Sequence, residues 1–224
     1  MKKIFLLGLV SLFSFAQATE VSTSVAVTTD YVWRGQTQGT HDAAVQGTLE
    51  ASMHNFTLGA WASSLGGGTG GTEVDLYLNY KHEFNNDIAL TIGATDYTYT
   101  RNPGINTMEY SIGLDVMGYG LYIGYIDEYF GADSSSMYYN LSKSFTLSEE
   151  KNLGLSLALG YTSHDDEAKI GSKSYMDYKV AITRSVGQMD YEFFYTNTNR
   201  KTISGSTETE AKDSSTGVML TFNM

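Results

Sequence analysis

From Val21 onward the chain repeats in twos: apolar and polar residues alternate, and no stretch sustains the spacing of a helix. In the first such stretch Val21, Thr23, Val25, Val27, Tyr31 and Trp33 share one face, while Ser22, Ser24, Thr28, Asp30 and Arg34 share the other. Alternation of this kind requires a different environment on each side of a strand. Repeated over segments of about 9–11 residues or more, it matches strands that cross a bilayer with one face to lipid and one to a polar lumen. After the N-terminal segment no apolar run approaches the roughly 18 residues that a spanning helix needs, which excludes a helical membrane protein.

The same reading predicts strands near 21–34, 43–54, 56–65, 72–84, 88–99, 107–117, 119–129, 136–147, 152–163, 173–185, 189–199 and 212–224. Their connections alternate in length. They are tight at His54-Asn55, Asn85-Asn86-Asp87, Met117-Gly118 and Gly187-Gln188, and longer around 35–42, 66–71, 100–106, 130–135, 164–172 and 200–211. Short periplasmic turns opposite longer outer loops produce this rhythm. The closing segment places Val218, Leu220, Phe222 and Met224 on one face, as a strand that pairs with the first must, because an open edge cannot stand in lipid. The expectation is an all-β fold: a single antiparallel transmembrane β-barrel of about twelve strands with both termini periplasmic.

The first residues, Met1-Lys2-Lys3, an apolar run from Ile4 to Phe15 and Ala16-Gln17-Ala18, have the order of a cleavable secretory signal. The domain expectation is therefore a signal peptide over 1–18 and an outer-membrane barrel over 19–224. There is no Cys, which removes disulfide and thiolate chemistry, and the net charge of −11 argues against a nucleic-acid partner. The tract Gly66-Gly67-Gly68-Thr69-Gly70-Gly71 lacks the Lys and helix of a phosphate-binding loop and reads as a flexible surface loop.

Charges within membrane strands belong on the lumen side. On this register the inward acids are Asp30, Glu50, Glu73, Asp75, Glu83, Glu109, Asp115, Glu128, Asp177, Asp190 and Glu192, against Arg34, Lys81 and Lys179. Charges of the opposite phase, Lys143, Arg184, Asp96 and Asp127, together with His82, fall near strand ends, where they can reach interfacial water. Gly113, Gly124, Ser142, Gly154, Ser156, Ala158, Gly160 and Gly217 are expected to leave room inside. Tyr31, Tyr80, Tyr110, Tyr125, Tyr139, Tyr161 and Tyr195 read as an interfacial girdle.

The N-terminal third carries more specific text: Asp30-Tyr31-Val32-Trp33-Arg34-Gly35, Gln38, Ala44-Val45-Gln46-Gly47, Gly59-Ala60-Trp61-Ala62-Ser63-Ser64 and Glu73-Val74-Asp75-Leu76-Tyr77. These ordered motifs resemble the TorF porin family, which implies an outer-membrane pore and supplies no substrate. The strand phase places Asp30, Arg34, Gln46, Glu50, Trp61, Glu73 and Asp75 on the inward face of neighbouring strands, with Glu109 and Asp115 further round. One reading makes them a constriction or solute site, with Arg34 held by Asp30, Glu50, Glu73 or Asp75 and Trp61 offering a stacking face. The other makes them an ion network that fixes strand register.

No cofactor and no resident metal are expected. His164-Asp165-Asp166-Glu167 has the carboxylates of a divalent-cation loop, but such runs are usually solvated. The functional expectation is passive diffusion of small polar or cationic solutes through an acidic lumen, with outer-membrane lipids around the barrel. The alternatives are a closed structural barrel whose loops bind a partner and, behind it, a lipid-modifying enzyme using His54 or His82.

Overall fold

The computed structural model describes residues 20–66 and 71–224. The expected signal over 1–18 lies outside the described residues, as do 67–70 of the glycine tract. In chain order the structure contains β1 (Glu20–Thr28), a short pair β2 (Val32–Trp33) and β3 (Gln36–Thr37), β4 (Ala44–Met53), β5 (Phe56–Ser64), β6 (Thr72–Asn85) and β7 (Ile88–Tyr99). It continues with β8 (Thr107–Val116), β9 (Tyr119–Ile126), β10 (Ser136–Ser148), β11 (Leu153–His164), a helical turn α1 (Glu167–Ile170), β12 (Tyr175–Val186) and β13 (Met189–Thr198). A second short pair, β14 (Lys201–Ser204) and β15 (Thr207–Glu210), precedes β16 (Ser215–Asn223).

Setting aside the two short pairs, the strands close into one antiparallel barrel in which each pairs with its sequence neighbours. β1 completes the ring: Val27 sits opposite Val45 of β4 on one side and Leu220 of β16 on the other. Closure leaves no strand edge with unpaired backbone groups, the condition for a sheet to exist in hydrocarbon.

Alternation explains the two faces. Val25, Leu49, Ile92, Ile112, Leu141, Leu159, Ile182, Phe193 and Leu220 are exposed on the outside, and register sets apolar residues side by side, as with Leu121, Leu141 and Leu159 on adjacent strands. Exposed aliphatic surface costs roughly 25 cal/mol per Å² in water, so a continuous belt of it needs an apolar surround. Tyr139 stacks on Tyr161 at 6.4 Å between ring centroids, and Tyr178 tilts against Tyr195 at 5.9 Å. Lys143, outward in phase, bends to the Met117 carbonyl at 2.8 Å and lies over the Tyr119 ring, so its charge reaches the barrel end.

The tight turns gather at one end and the long connections at the other. Met117 and Gly118 both have positive φ, 51° and 76°, the geometry of a two-residue hairpin turn that twists with its strands.

Two expected strands differ. The first ends at Thr28 rather than 34, and the chain leaves the wall and folds back into the lumen as the β2–β3 hairpin. Tyr31 and Trp33, expected outside, are consequently inside, with Tyr31 against Trp61 at 5.3 Å and Trp33 against Tyr97 at 6.1 Å. The strand expected over 119–129 ends at Ile126, so Glu128 is an exposed loop residue rather than a wall acid.

Candidate functional site: a lumen divided by a hairpin

The β2–β3 turn is Arg34-Gly35, with φ of 49° and 72°. A left-handed backbone suits Gly35 but strains a residue with a Cβ, at a cost of about 1 kcal/mol or more. Two-residue turns of this shape favour Asn-Gly, so the presence of Arg points to what its side chain does. Its guanidinium crosses to the wall, where Nη2 donates to Glu109 Oε2 of β8 at 2.5 Å. It is sandwiched between the Trp33 and Tyr138 rings, each 4.2 Å from its central carbon. Burial works against the charge, but Glu109 outweighs it and holds the guanidinium above its ordinary pKa. Tyr122 donates to the other Glu109 oxygen, so both are engaged. Gly124 makes this possible: a Cβ there would lie 2.8 Å from the Glu109 carboxyl carbon.

The hairpin is pinned elsewhere by side chains as well. Gln36 Nε2 donates to Tyr175 Oη at 2.5 Å, and Gly35 presses on β12 so closely that a Cβ would sit 2.5 Å from that of Asp177. Phe130 packs edge-on against Trp33 at 5.4 Å. At the hairpin base Asp30, almost fully buried, accepts from Thr37 Oγ1 at 2.7 Å and from His41 Nδ1 at 2.7 Å. The other His41 nitrogen meets the Lys212 carbonyl at 2.8 Å, linking the first long loop to the last. The bond to Asp30 raises the His41 pKa.

The residues singled out by sequence therefore separate into groups. Asp30 and Arg34 stand on the inserted loop rather than on a wall strand. The Arg34 partner is Glu109, not Asp30, Glu50, Glu73 or Asp75, because the hairpin crosses the lumen instead of continuing up the β1 wall. Gln46 and Trp61 line the wall beside Arg34. Glu73 and Asp75 are buried near the long-loop end, where Tyr99 donates to Glu73 at 2.8 Å. Glu50 lies lower and accepts from Tyr77 at 2.6 Å, while Asp115, opposite Ala89 and Gly120, is exposed toward the short-turn end.

Two cavities flank the hairpin. One, of about 360 Å³, includes Asp30, Arg34, Gln46, Trp61, Asp177 and Lys179 in its lining. The other, of about 300 Å³, is bounded by Trp33, Gln36, Tyr99, Asn102, Tyr129 and Phe130. The hairpin contributes residues to both, so it partitions the interior.

Several glycines expected to leave room are occupied by neighbours. A Cβ on Gly160 would meet Asp177 Oδ2 and Tyr138 Oη at 2.3 Å, and one on Gly217 would meet the Phe194 ring at 2.4 Å. Gly113 does face space, its nearest neighbours lying 3.8 Å away. The acidic run after His164 is a helix start: Asp166 accepts from the Ala168 and Lys169 amides, and Glu167 engages Lys173 and the Ser174 amide. His82 packs edge-on against Phe84 at 4.7 Å, and His54 occupies a tight turn with φ of 55°. Sequence reasoning named Asp177, Lys179 and Glu192 only as wall charges and missed Tyr129 and Phe130, which lie in a loop, and Phe194, which shares the inward phase of Asp190 and Glu192 on β13.

A closed antiparallel barrel with a belted exterior and a polar, partitioned interior defines a transmembrane β-barrel. Solved porins share this fold: the KdgM porin is 11% identical, with 90% of this chain and 97% of that one covered and a TM-score of 0.57. For the NanC porin the figures are 7%, 90%, 98% and 0.59. The KdgM porin in complex with disordered oligogalacturonate gives 6%, 91%, 96% and 0.52. The chain belongs to the Gcw_chp family, described as a bacterial protein of unknown function, whose model matches residues 14–222. No curated protein sequence matched it.

Proposed function

We propose that the chain is an outer-membrane channel for small polar or cationic solutes, exported with loss of residues 1–18, its termini periplasmic and its long loops outward. The observation that carries this reading is the hairpin across the lumen, which is held by side chains rather than by pairing to the barrel wall. Such a hairpin can narrow a path without being part of the barrel's own integrity. The porin fold and the TorF resemblance of the N-terminal third point the same way.

Charge sets the expected preference. Lys81 and Lys179 pair with Glu83 at 2.8 Å and Glu192 at 2.6 Å, which leaves Glu50, Glu73, Asp75, Asp115, Asp177 and Asp190 as wall acids not offset by those lysines. A wall of that balance favours cations and disfavours polyanions such as the oligogalacturonate named with one KdgM structure. Conductance of the refolded mature chain in a planar bilayer under a KCl gradient tests this, beside a variant with 30–41 replaced by a short Gly/Ser linker. Cation-selective steps that grow in the variant are expected, and substituting Glu50→Gln with Asp115→Asn should move the reversal potential toward zero. Silence of both barrels, each shown to be folded, would overturn the channel in favour of a closed barrel, the reading that the tight hairpin packing otherwise favours.

A further inference from the structure

The cavity beside Arg34 contains charges with very different degrees of satisfaction. Arg34 has Glu109, and Lys179 has Glu192. Asp30 is engaged through both oxygens by Thr37 and His41. Asp177 is the exception. Its Oδ1 accepts from Tyr138 at 3.3 Å, but its Oδ2 has no hydrogen-bond partner among the described residues, although the residue is only 6% exposed and lines the cavity. A buried carboxylate oxygen without a donor is costly, so the Asp177 carboxylate on the cavity wall keeps acceptor capacity that the chain itself does not use. The missing side chain at Gly160 gives that oxygen its place.

With Arg34 matched by Glu109 and Lys179 by Glu192, Asp177 leaves the chamber with an excess of negative charge. Trp61 on β5 and Phe194 on β13 add aromatic surface to the same lining. A volume of about 360 Å³ is at the small end of ligand sites. We propose that this chamber binds a small solute bearing a protonated amine or guanidinium, which donates to the Asp177 carboxylate while the apolar part of the solute lies against Trp61 or Phe194. This names the solute class for the channel proposed above and rests on that reading for its physiological sense, but the binding itself needs no conduction.

The test is isothermal titration of the full refolded chain in detergent micelles with benzylamine, benzyl alcohol and benzoate, three probes of similar size that differ in charge. Benzylamine should bind measurably more tightly than the other two. Asp177→Asn should weaken it by about tenfold or more, the usual loss for a charge-assisted hydrogen bond. Glu149→Gln, at an exposed turn outside the chamber, should leave it unchanged. If Asp177→Asn fails to fold, Trp61→Leu provides a second reading and should also weaken benzylamine. Absence of benzylamine binding, equal binding of benzylamine and benzoate, or affinity unchanged in both chamber variants would overturn the proposal. A barrel that binds benzylamine yet never conducts would sink the channel and leave the site; one that conducts without binding would do the reverse.

Discussion

Replacing Glu109 by Gln removes the counter-ion of Arg34 while preserving shape and the acceptor for Tyr122. The Arg34 and Glu109 side chains are 8% and 1% exposed, so the substitution leaves a nearly dry guanidinium facing a neutral amide. Breaking one side of a buried pair generally costs about 3–5 kcal/mol. Flanking cavities admit water and bring the expectation to the lower end, about 3 kcal/mol, which is on the order of a hundredfold in the seated-to-unseated ratio. Barrel pairing does not involve these side chains, so the effect should be local. Amide hydrogen exchange on the refolded chain should show residues 30–41 exchanging about a hundredfold faster in Glu109→Gln, with β4 and β8 unchanged. Equal protection of the hairpin in both proteins would refute the reasoning. Loosening of the β7–β8–β9 wall together with the hairpin would instead show the pair to be a register lock.

Other expectations follow from the loop and the wall. His41 has a raised pKa because its ring bonds Asp30, so its contribution is complete below the ordinary histidine value and is lost as pH rises through the raised one. Protease resistance of residues 29–43 should therefore be greater at acid than at alkaline pH, and His41→Gln should flatten that profile. Gly160→Ala forces a methyl to 2.3 Å from Asp177 and Tyr138 and should cost about 1–3 kcal/mol in urea unfolding. Gly113→Ala, with its nearest atoms at 3.8 Å, should change stability by no more than about 0.5 kcal/mol.

The barrel was legible because each wall strand must satisfy lipid and lumen at once, and that constraint writes itself into alternate residues such as Leu153, Leu155, Leu157 and Leu159. The hairpin was not, because β2 is also extended and preserves the phase of β1: Asp30 and Arg34 alternate with Tyr31 and Trp33 just as wall residues would. Two local signs were present. A strand over 21–34 exceeds the roughly 9–11 residues that a bilayer requires, and Arg34-Gly35 occupies a turn position. The Glu109 partner could not be read locally, because β8 is reached only by going round the ring. Aromatic residues misled for a related reason: Tyr31 and Tyr139 look alike in composition, yet one packs under the hairpin and the other on the outer face. The unpartnered Asp177 oxygen depends on the distances of its neighbours and has no sequence signature.

The hairpin belongs to the beginning of the chain, but the wall that receives it, from Tyr97 and Glu109 to Tyr138 and Tyr175, is made much later. Its seat does not exist until β12 has joined the sheet. Barrel closure and hairpin docking are therefore ordered events. Until that wall is in place Trp33 and Arg34 lack the partners that cover them in the finished barrel.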